Sequence, residues 1–173
     1  ERLAYLNFLR VAPSAPLAPY IESFWYLRRE ASVTDTMREF MHPGGGFGLV
    51  FNLRGGLALD GASIADPVFL DGANTRSRQM GFSGTVEAFG IRFRPGGAYP
   101  LLALPLAELA NQTGLLAALT PRPVLLLHEQ ISAASTLSAK ITQLEHWLLM
   151  RLQPTISPLV LHSLKLMRQS AGQ

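Results

Sequence analysis

The 173-residue sequence contains no cysteine. That absence excludes a disulfide framework, a zinc site built on thiolates and a cysteine nucleophile. Charge is scarce as well: charged residues make up 16% of the chain, and its formal net charge is +3. Because the basic residues are spread along the chain among acidic ones, the sequence lacks the concentrated basic face that holds DNA phosphates. We therefore expect this chain to bind nucleic acid poorly by itself.

Signals for catalysis and for membranes are equally sparse. No serine lies in a GxSxG elbow. The glycine cluster Gly44–Gly48 does not precede a helix as a phosphate loop does, and we interpret it as a turn between strands. The histidines form no HxH or HxxxH pair; they are His42, His128, His146 and His162. We therefore predict no catalytic residue, no metal and no cofactor. Without a run of about 18 apolar residues or a signal-peptide pattern, we expect a cytoplasmic protein with no membrane contact.

What the sequence does contain is apolar residues, at 48%, enough to build a sizeable core. Closely spaced turn signals divide Met37–Arg94 into short apolar runs, which leaves room only for strands. The clearest strands are Leu49–Leu53 and Val86–Arg94, whereas Tyr20–Leu27 fits either a strand or a helical turn. The pattern predicts an α+β fold, in which an antiparallel β barrel or sandwich of cupin-like type is followed by C-terminal helices.

Helical patterns begin after residue 105. Pro123–Ile131 and Leu137–Leu152 are predicted helices, and Ser157–Pro158 is a typical start of a third. The second helix carries one apolar stripe, which consists of Leu137, Ile141, Leu144, Leu148 and Leu152. That stripe has two alternative partners, its own domain or a second protomer in a dimer.

Two groups of side chains are candidates for a ligand site. Strand alternation places Arg92 and Arg94 on one face, beside the small Ala88 and Gly90. These arginines either form ion pairs on a solvated face or bind an anionic group. Aromatic residues of the β region belong either to the core or to the wall of an interior space. The candidate ligand-binding residues are Trp25, Phe40, Phe51, Arg92 and Arg94.

Two segments of the chain resemble the N-terminal domain of a subgroup of AraC/XylS-type bacterial transcription regulators. They are Gly48–Leu53 (GLVFNL) and Phe89–Thr113 (FGIRFRPGGAYPLLALPLAELANQT). The tail Ser157–Gly172 resembles the first helix and glycine turn of the helix-turn-helix DNA-binding domain in the same family. The recognition helices that would read base edges are absent.

The resemblance implies a division into three parts: a mainly β sensor-like domain over 1–104, a helical linker or dimerisation region over 105–156, and the start of a truncated DNA-binding domain over 157–173. It also implies a homodimeric regulator that senses a small-molecule effector. Such a regulator would contact DNA only through the C-terminal domain missing from this chain. The alternative is a free-standing cupin-like protein or enzyme that binds a small molecule.

Overall fold

The computed structural model of the chain describes residues 7–32, 35–42, 46–103, 106–115, 121–152 and 158–169. Within these ranges the strands are β1 (Asn7–Val11), β2 (Ile21–Arg29), β3 (Thr36–Met41), β4 (Gly48–Leu59), β5 (Ala62–Ile64), β6 (Val68–Asp71), β7 (Arg78–Phe93) and β8 (Thr113–Leu115). The helices are α1 (Tyr99–Leu102), α2 (Pro121–Ala133), α3 (Leu137–Leu149) and α4 (Pro158–Gln169). None of these four helices is long and apolar enough to cross a membrane.

All described strands belong to one antiparallel sheet, with the order β1-β2-β7-β4-β6-β8. Two further strands pair beside this path, β3 with β7 and β5 with β4. Because β1 and β8 lie at opposite ends of the order, the described sheet is open and does not close into a barrel. The predicted α+β fold, an antiparallel sheet followed by helices, is confirmed in this open form. The sheet includes β8 and so extends past residue 104.

The segment that the sequence left undecided, Tyr20–Leu27, forms strand β2 from Ile21 onward. The predicted helices Pro123–Ile131 and Leu137–Leu152 correspond to α2 and α3. The predicted turn glycines Gly44 and Gly45, the cap residue Ser157 and the C-terminal Gly172 lie outside the described residues.

Strand β7 is the centre of the sheet, and its neighbours bend along it. One edge of β7 pairs first with β3 and then with β2, and the other edge pairs with β4 throughout. The β4 register shifts between Asn52 and Gly56, where Gly55 has a φ of 92°. That left-handed backbone favours glycine, and such irregularities bend and twist a strand. The part of the sheet that contains β3 and β5 is thereby turned relative to the part that contains β2 and β6.

The two faces of β7 are buried against different partners. Phe89, Ile91 and Phe93 are fully buried in a core that contains side chains of α2 and α3. On the other face, Val86 and Ala88 belong to a separate cluster built from strands alone. The helices therefore pack on one face of the sheet, and strand residues form the cluster on the other face.

The leucine stripe of α3 packs against its own domain. Leu144 and Leu148 are fully buried in the helix-side core. Leu137, Ile141 and Leu152 are partly buried against the same core. Of the two alternatives for this stripe, the structure shows packing on its own domain.

A buried polar network also connects α3 to the sheet. The Lys140 side chain is 7% exposed, and its Nζ donates a hydrogen bond of 2.9 Å to the carbonyl of Ile131, near the end of α2. The same Nζ lies 3.5 Å from Oε1 of Glu87 on β7, which also accepts a 3.0 Å hydrogen bond from the Tyr26 hydroxyl. A cation near a helix C-terminus satisfies carbonyls that have no partner within the helix. Lys140 therefore joins α2, α3 and β7 at one point.

The burial of α3 gives a direct test by mutation. Leu148→Ala is expected to lower the free energy of unfolding by about 2–5 kcal/mol, because it leaves a cavity in a packed core. The neighbouring Leu149 is 41% exposed, so Leu149→Ala should change stability by no more than about 0.5 kcal/mol. Urea denaturation followed by circular dichroism measures both. Equal and small effects would show that α3 does not bury this face in its own domain.

Candidate functional site

A cavity of about 570 Å³ lies on the face of the sheet opposite the helices. Its wall includes Trp25 and Arg92 from the part of the sheet that contains β2 and β6. It also includes Glu39 and Phe82 from the part that contains β3 and β5. Since both parts line a single space, the bend in β4 and β7 curves the sheet around it. A volume of this size is typical of small-molecule sites, which range over about 300–1,000 Å³.

The apolar part of the wall follows one register line across the sheet. Trp25 on β2 pairs with Gly90 on β7, which pairs with Val50 on β4. A Cβ added at Gly90 would overlap the indole ring of Trp25. The missing side chain at Gly90 therefore lets the indole lie across β7, where Phe8 of β1 stacks on it with ring centroids 6.2 Å apart.

A polar row crosses the sheet on the next register line of the same face. Ser23 pairs with Arg92, Arg92 with Gly48, Gly48 with Asp71, and Asp71 with Thr113. Residues two apart on a strand are separated by about 7 Å, so this row lies at about that distance from the line that contains Trp25. Gly48 has no side chain, and it leaves a gap between the Arg92 and Asp71 positions.

The charges of the polar row are partly neutralised within the wall. Nε of Arg92 lies 3.1 Å from Oε2 of Glu22, and both side chains are almost half exposed. Oδ1 of Asp71 accepts hydrogen bonds from Nδ2 of Asn74 at 3.1 Å and from Oγ1 of Thr113 at 3.5 Å. Burial raises the pKa of the Asp71 carboxyl above its ordinary value, although the hydrogen bond from Asn74 and the guanidinium of Arg78, whose Nη1 lies 3.7 Å from Oδ1, oppose the shift. Burial therefore disfavours the charged form of Asp71.

Two buried oxygen atoms of the wall have no hydrogen-bond partner among the residues that the structure describes. They are Oγ of Ser23, a residue only 8% exposed, and Oδ1 of Asn74. The orientation of the Asn74 amide follows from its neighbour: Nδ2 must face the Asp71 carboxylate because the carboxylate only accepts hydrogen bonds. Oδ1 then points elsewhere and remains an unused acceptor. Buried polar atoms without partners are uncommon in folded proteins, and these two lie beneath the accessible surface of the wall.

Three of the residues singled out from the sequence line this cavity. Trp25 forms its apolar wall and Arg92 stands in its polar row. Phe40 lies at the rim, and 66% of its surface is exposed. Arg92 forms an ion pair with Glu22, the first of the two alternatives that the sequence left open for it.

The other two candidate residues lie away from the cavity. Phe51 is fully buried in the helix-side core, on the opposite face of β4 from Val50. Arg94 follows the last residue of β7, and its Nε donates a 2.9 Å hydrogen bond to the carbonyl of Ala18. Arg94 therefore fixes the Ala18 backbone and does not share the surroundings of Arg92.

Ser23, Asp71 and Asn74 were not predicted from the sequence. One signal could have found Ser23, because alternation along β2 places it on the same face as Trp25. Asp71 and Asn74 gave no such signal, since Asp71–Gly72 is also a common turn pattern. Their place in the cavity depends on the pairing of β6 with β4.

Metal chemistry finds little support in the side chains of the described ranges. Within them, no group of three or more His, Asp and Glu residues is arranged to hold a metal ion. His42 lies at the cavity without two further ligands beside it.

A second hollow, of about 770 Å³, is a surface groove between α2 and α3. Leu126, Trp147 and Met150 line it. The guanidinium carbon of Arg151 lies 4.3 Å from the centre of the Trp147 ring and already covers it. The sheet cavity is more enclosed than this groove, and its lining combines Trp25 with the charged residues Arg92 and Asp71. The sheet cavity is therefore the stronger candidate site.

The raised pKa of Asp71 predicts a pH dependence of stability. Because the folded state binds this proton more tightly than the unfolded chain, the stabilisation is complete below the unfolded pKa of about 3.9 and is lost as the pH rises through the folded value. Wild-type protein should therefore gain stability relative to Asp71→Asn as the pH falls from about 7 to about 4. Urea denaturation at a series of pH values measures this difference.

Asp60 provides a control of opposite sign. Its carboxylate accepts 2.8 Å hydrogen bonds from the Gln79 amide and from Nε of Arg78, and these contacts lower its pKa. Wild-type protein should lose stability relative to Asp60→Asn as the pH falls through that lowered value. If both variants showed the same sign, burial would not dominate the titration of Asp71.

Comparisons with known proteins give a family but no activity. No curated protein matches the chain. Among solved structures, the chain is similar to the plu4264 protein from Photorhabdus luminescens, with 10% sequence identity and a TM-score of 0.40 over 54% of this chain and 79% of that one. Residues 9–114, which contain β2–β7 and nearly the whole cavity wall, match the family model described as a domain of unknown function, DUF6597. Because this match spans more than half of the sequence, the chain belongs to the DUF6597 family.

Proposed function

We propose that this chain is the effector-sensing part of a sequence-specific DNA-binding transcription regulator. The sheet cavity binds a small molecule, and the helices on the opposite face pass the bound state to a helix-turn-helix DNA-binding domain. One observation carries the proposal: β7 faces the cavity on one side and packs against the helices on the other. The likeness of Gly48–Leu53 and Phe89–Thr113 to AraC/XylS-type regulators supports it.

The route from ligand to helices is short. Ala88 and Gly90 face the cavity side, whereas Glu87 and Phe89 face α2 and α3. Successive residues on a strand are about 3.4 Å apart, so a ligand that displaces β7 also displaces the surface on which the helices pack. Lys140, which contacts both Glu87 and the end of α2, moves with them. Effector binding thus favours one arrangement of the helices, and the population shift changes how DNA is bound.

We also propose that the regulator acts as a homodimer, because paired DNA half-sites require two recognition units in register. The leucine stripe of α3 is occupied by its own domain, so the contact between protomers must use another surface. Several apolar side chains in or beside the described helices are exposed and available for such a contact: Leu126, Leu149, Met150, Leu159 and Leu166.

Binding to DNA tests the proposal. The intact protein, expressed from its own gene, should enrich a small set of genomic sites in chromatin immunoprecipitation. Residues 1–173 alone should not bind those sites at physiological salt, since a net charge of +3 is too small to neutralise many phosphates. Fluorescence anisotropy with the enriched fragments makes the second measurement.

The two measurements test the regulator role and the division between sensing and DNA binding separately. If the intact protein enriches no site, the regulator role is contradicted and a free-standing small-molecule-binding protein or enzyme becomes the better description. If residues 1–173 alone bind the fragments selectively below micromolar concentration, the division between sensing and DNA binding is wrong. Enrichment that depends on the intact protein supports the proposal.

A further inference from the structure

The arginine side chains of the cavity wall lie on either side of Trp25. Trp25 on β2 pairs with Arg10 on β1, and on its other side it pairs with Gly90 on β7. Alternation along β7 places Arg92 on the same face as Gly90. Each strand that neighbours Trp25 therefore carries one arginine, and both arginines line the cavity.

Arg92 retains most of its hydrogen-bonding capacity. A guanidinium carries several N–H donors in a planar fork, and the pairing with Glu22 uses Nε, which lies 3.1 Å from Oε2. Within the described residues, neither amino group of Arg92 has a hydrogen-bond or ion-pair partner. These two groups form the end of the fork, which binds both oxygens of a carboxylate.

Arg10 adds a cation that no acidic side chain of the described ranges neutralises. Its guanidinium carbon lies 5.6 Å from the centre of the Phe8 ring, and Phe8 stacks on Trp25. The charge of Arg10 therefore lies beside the aromatic wall. With Glu22 counted against the two arginines, this side of the cavity carries one positive charge in excess. That excess matches a ligand with a single negative charge.

The other acidic residues of the wall do not occupy the Arg92 amino groups. Asp71 is on β6, two strands beyond Arg92 and thus about 10 Å from it across the sheet. Nη1 of Arg78 lies 3.7 Å from Oδ1 of Asp71 and partly neutralises it. Glu39 is on β3, which pairs with the opposite end of β7. The amino groups of Arg92 therefore remain available to a ligand.

The apolar wall lies at a suitable distance from this guanidinium. The Trp25 indole lines the cavity together with Val50 and Phe82. The register line of Arg92 is about 7 Å from that of Trp25, so a ring against the indole brings a substituent within reach of Arg92. The Arg92 side chain is 47% exposed. A carboxylate bound there keeps part of its hydration, which reduces the cost of moving its charge out of water.

We propose that the cavity takes a ring compound with one carboxylate group, which the Arg92 amino groups bind while the ring packs on Trp25. Arg10 favours the same ligand through its charge, without a contact of its own. This inference rests on the proposed sensing function and specifies the class of effector.

Two matched probe series test the proposal. One is phenylacetate, 2-phenylacetamide and 2-phenylethanol; the other is 1-adamantanecarboxylate, 1-adamantanecarboxamide and 1-adamantanemethanol. Trp147→Phe leaves Trp25 as the single tryptophan, so its fluorescence reports binding at the cavity. Every probe keeps the ring contact. We expect the carboxylate of at least one series to bind about tenfold or more tightly than its neutral partners, a difference of about 1.4 kcal/mol.

Two substitutions at Arg92 separate charge from hydrogen-bond geometry. Arg92→Gln should weaken carboxylate binding about tenfold and change alcohol binding by less than about twofold, because only the carboxylate uses the guanidinium. Arg92→Lys keeps the charge but not the fork, so it should restore only part of the loss. Both variants should fold, since a half-exposed ion pair contributes little to stability.

Three further substitutions test the effect of nearby charge. Arg10→Gln should weaken carboxylate binding about two- to fivefold, and added salt should reduce this effect. Glu22→Gln should strengthen carboxylate binding, because it removes a competing acceptor from Arg92. Arg38 lies on β3 outside the cavity lining. Arg38→Gln therefore removes the same charge as Arg10→Gln and should leave the binding of every probe unchanged.

The possible failures can be told apart. Carboxylates that bind no more tightly than their neutral partners would overturn the ligand class and leave the sensing function intact. Equal losses for the carboxylate and the alcohol in Arg92→Gln would also overturn it, because the effect would then come from the fold. An Arg38→Gln loss as large as that of Arg92→Gln would do the same, since only overall charge would matter. If the folded protein bound no probe at millimolar concentration, small-molecule sensing itself would be contradicted.

Discussion

The alternation of side chains along β7 is the constraint on which the rest of the structure depends. A strand directs successive residues to opposite faces, and β7 is central, so both of its faces must find partners. Phe89, Ile91 and Phe93 supply a large apolar face that α2 and α3 help to cover. Ala88 and Gly90, on the other face, are small, so the Trp25 indole covers Gly90 and the cavity lies beside it. A packed core and a cavity therefore arise from a single stretch of sequence.

Small residues and buried polar atoms make the cavity face less stable than a filled core would be. Gly90 gives its space to the Trp25 indole, and Gly48 leaves a gap between the Arg92 and Asp71 positions. Burial penalises the charge of Asp71, and Oγ of Ser23 has no partner among the described residues. Each feature costs folding free energy. Departures of this kind from a filled and fully paired core are expected at functional sites.

Local patterns in the sequence predicted elements and faces, but not their partners. Alternation correctly placed Arg92 beside Ala88 and Gly90, yet it extended to Arg94, which lies beyond the end of β7 where a turn redirects the chain. The continuous apolar run around Phe51 could not show which face is which, because both faces of β4 are buried. The row from Ser23 to Asp71 depends on registers between strands far apart in sequence. Periodicity likewise found the α3 stripe without revealing what covers it.

The two tryptophans allow the most direct test of the central claim, because Trp25 lies in the sheet cavity and Trp147 in the groove between α2 and α3. Protein labelled with 5-fluorotryptophan should give two ¹⁹F resonances, which the Trp147→Phe variant assigns. On titration with 1-adamantanemethanol, a compact apolar probe for a cavity of about 570 Å³ with Trp25 in its wall, we predict that the Trp25 resonance shifts and saturates. Trp147 should move little and with the same midpoint. A saturating shift at Trp147 with Trp25 unchanged would place the site on the helices and contradict the account.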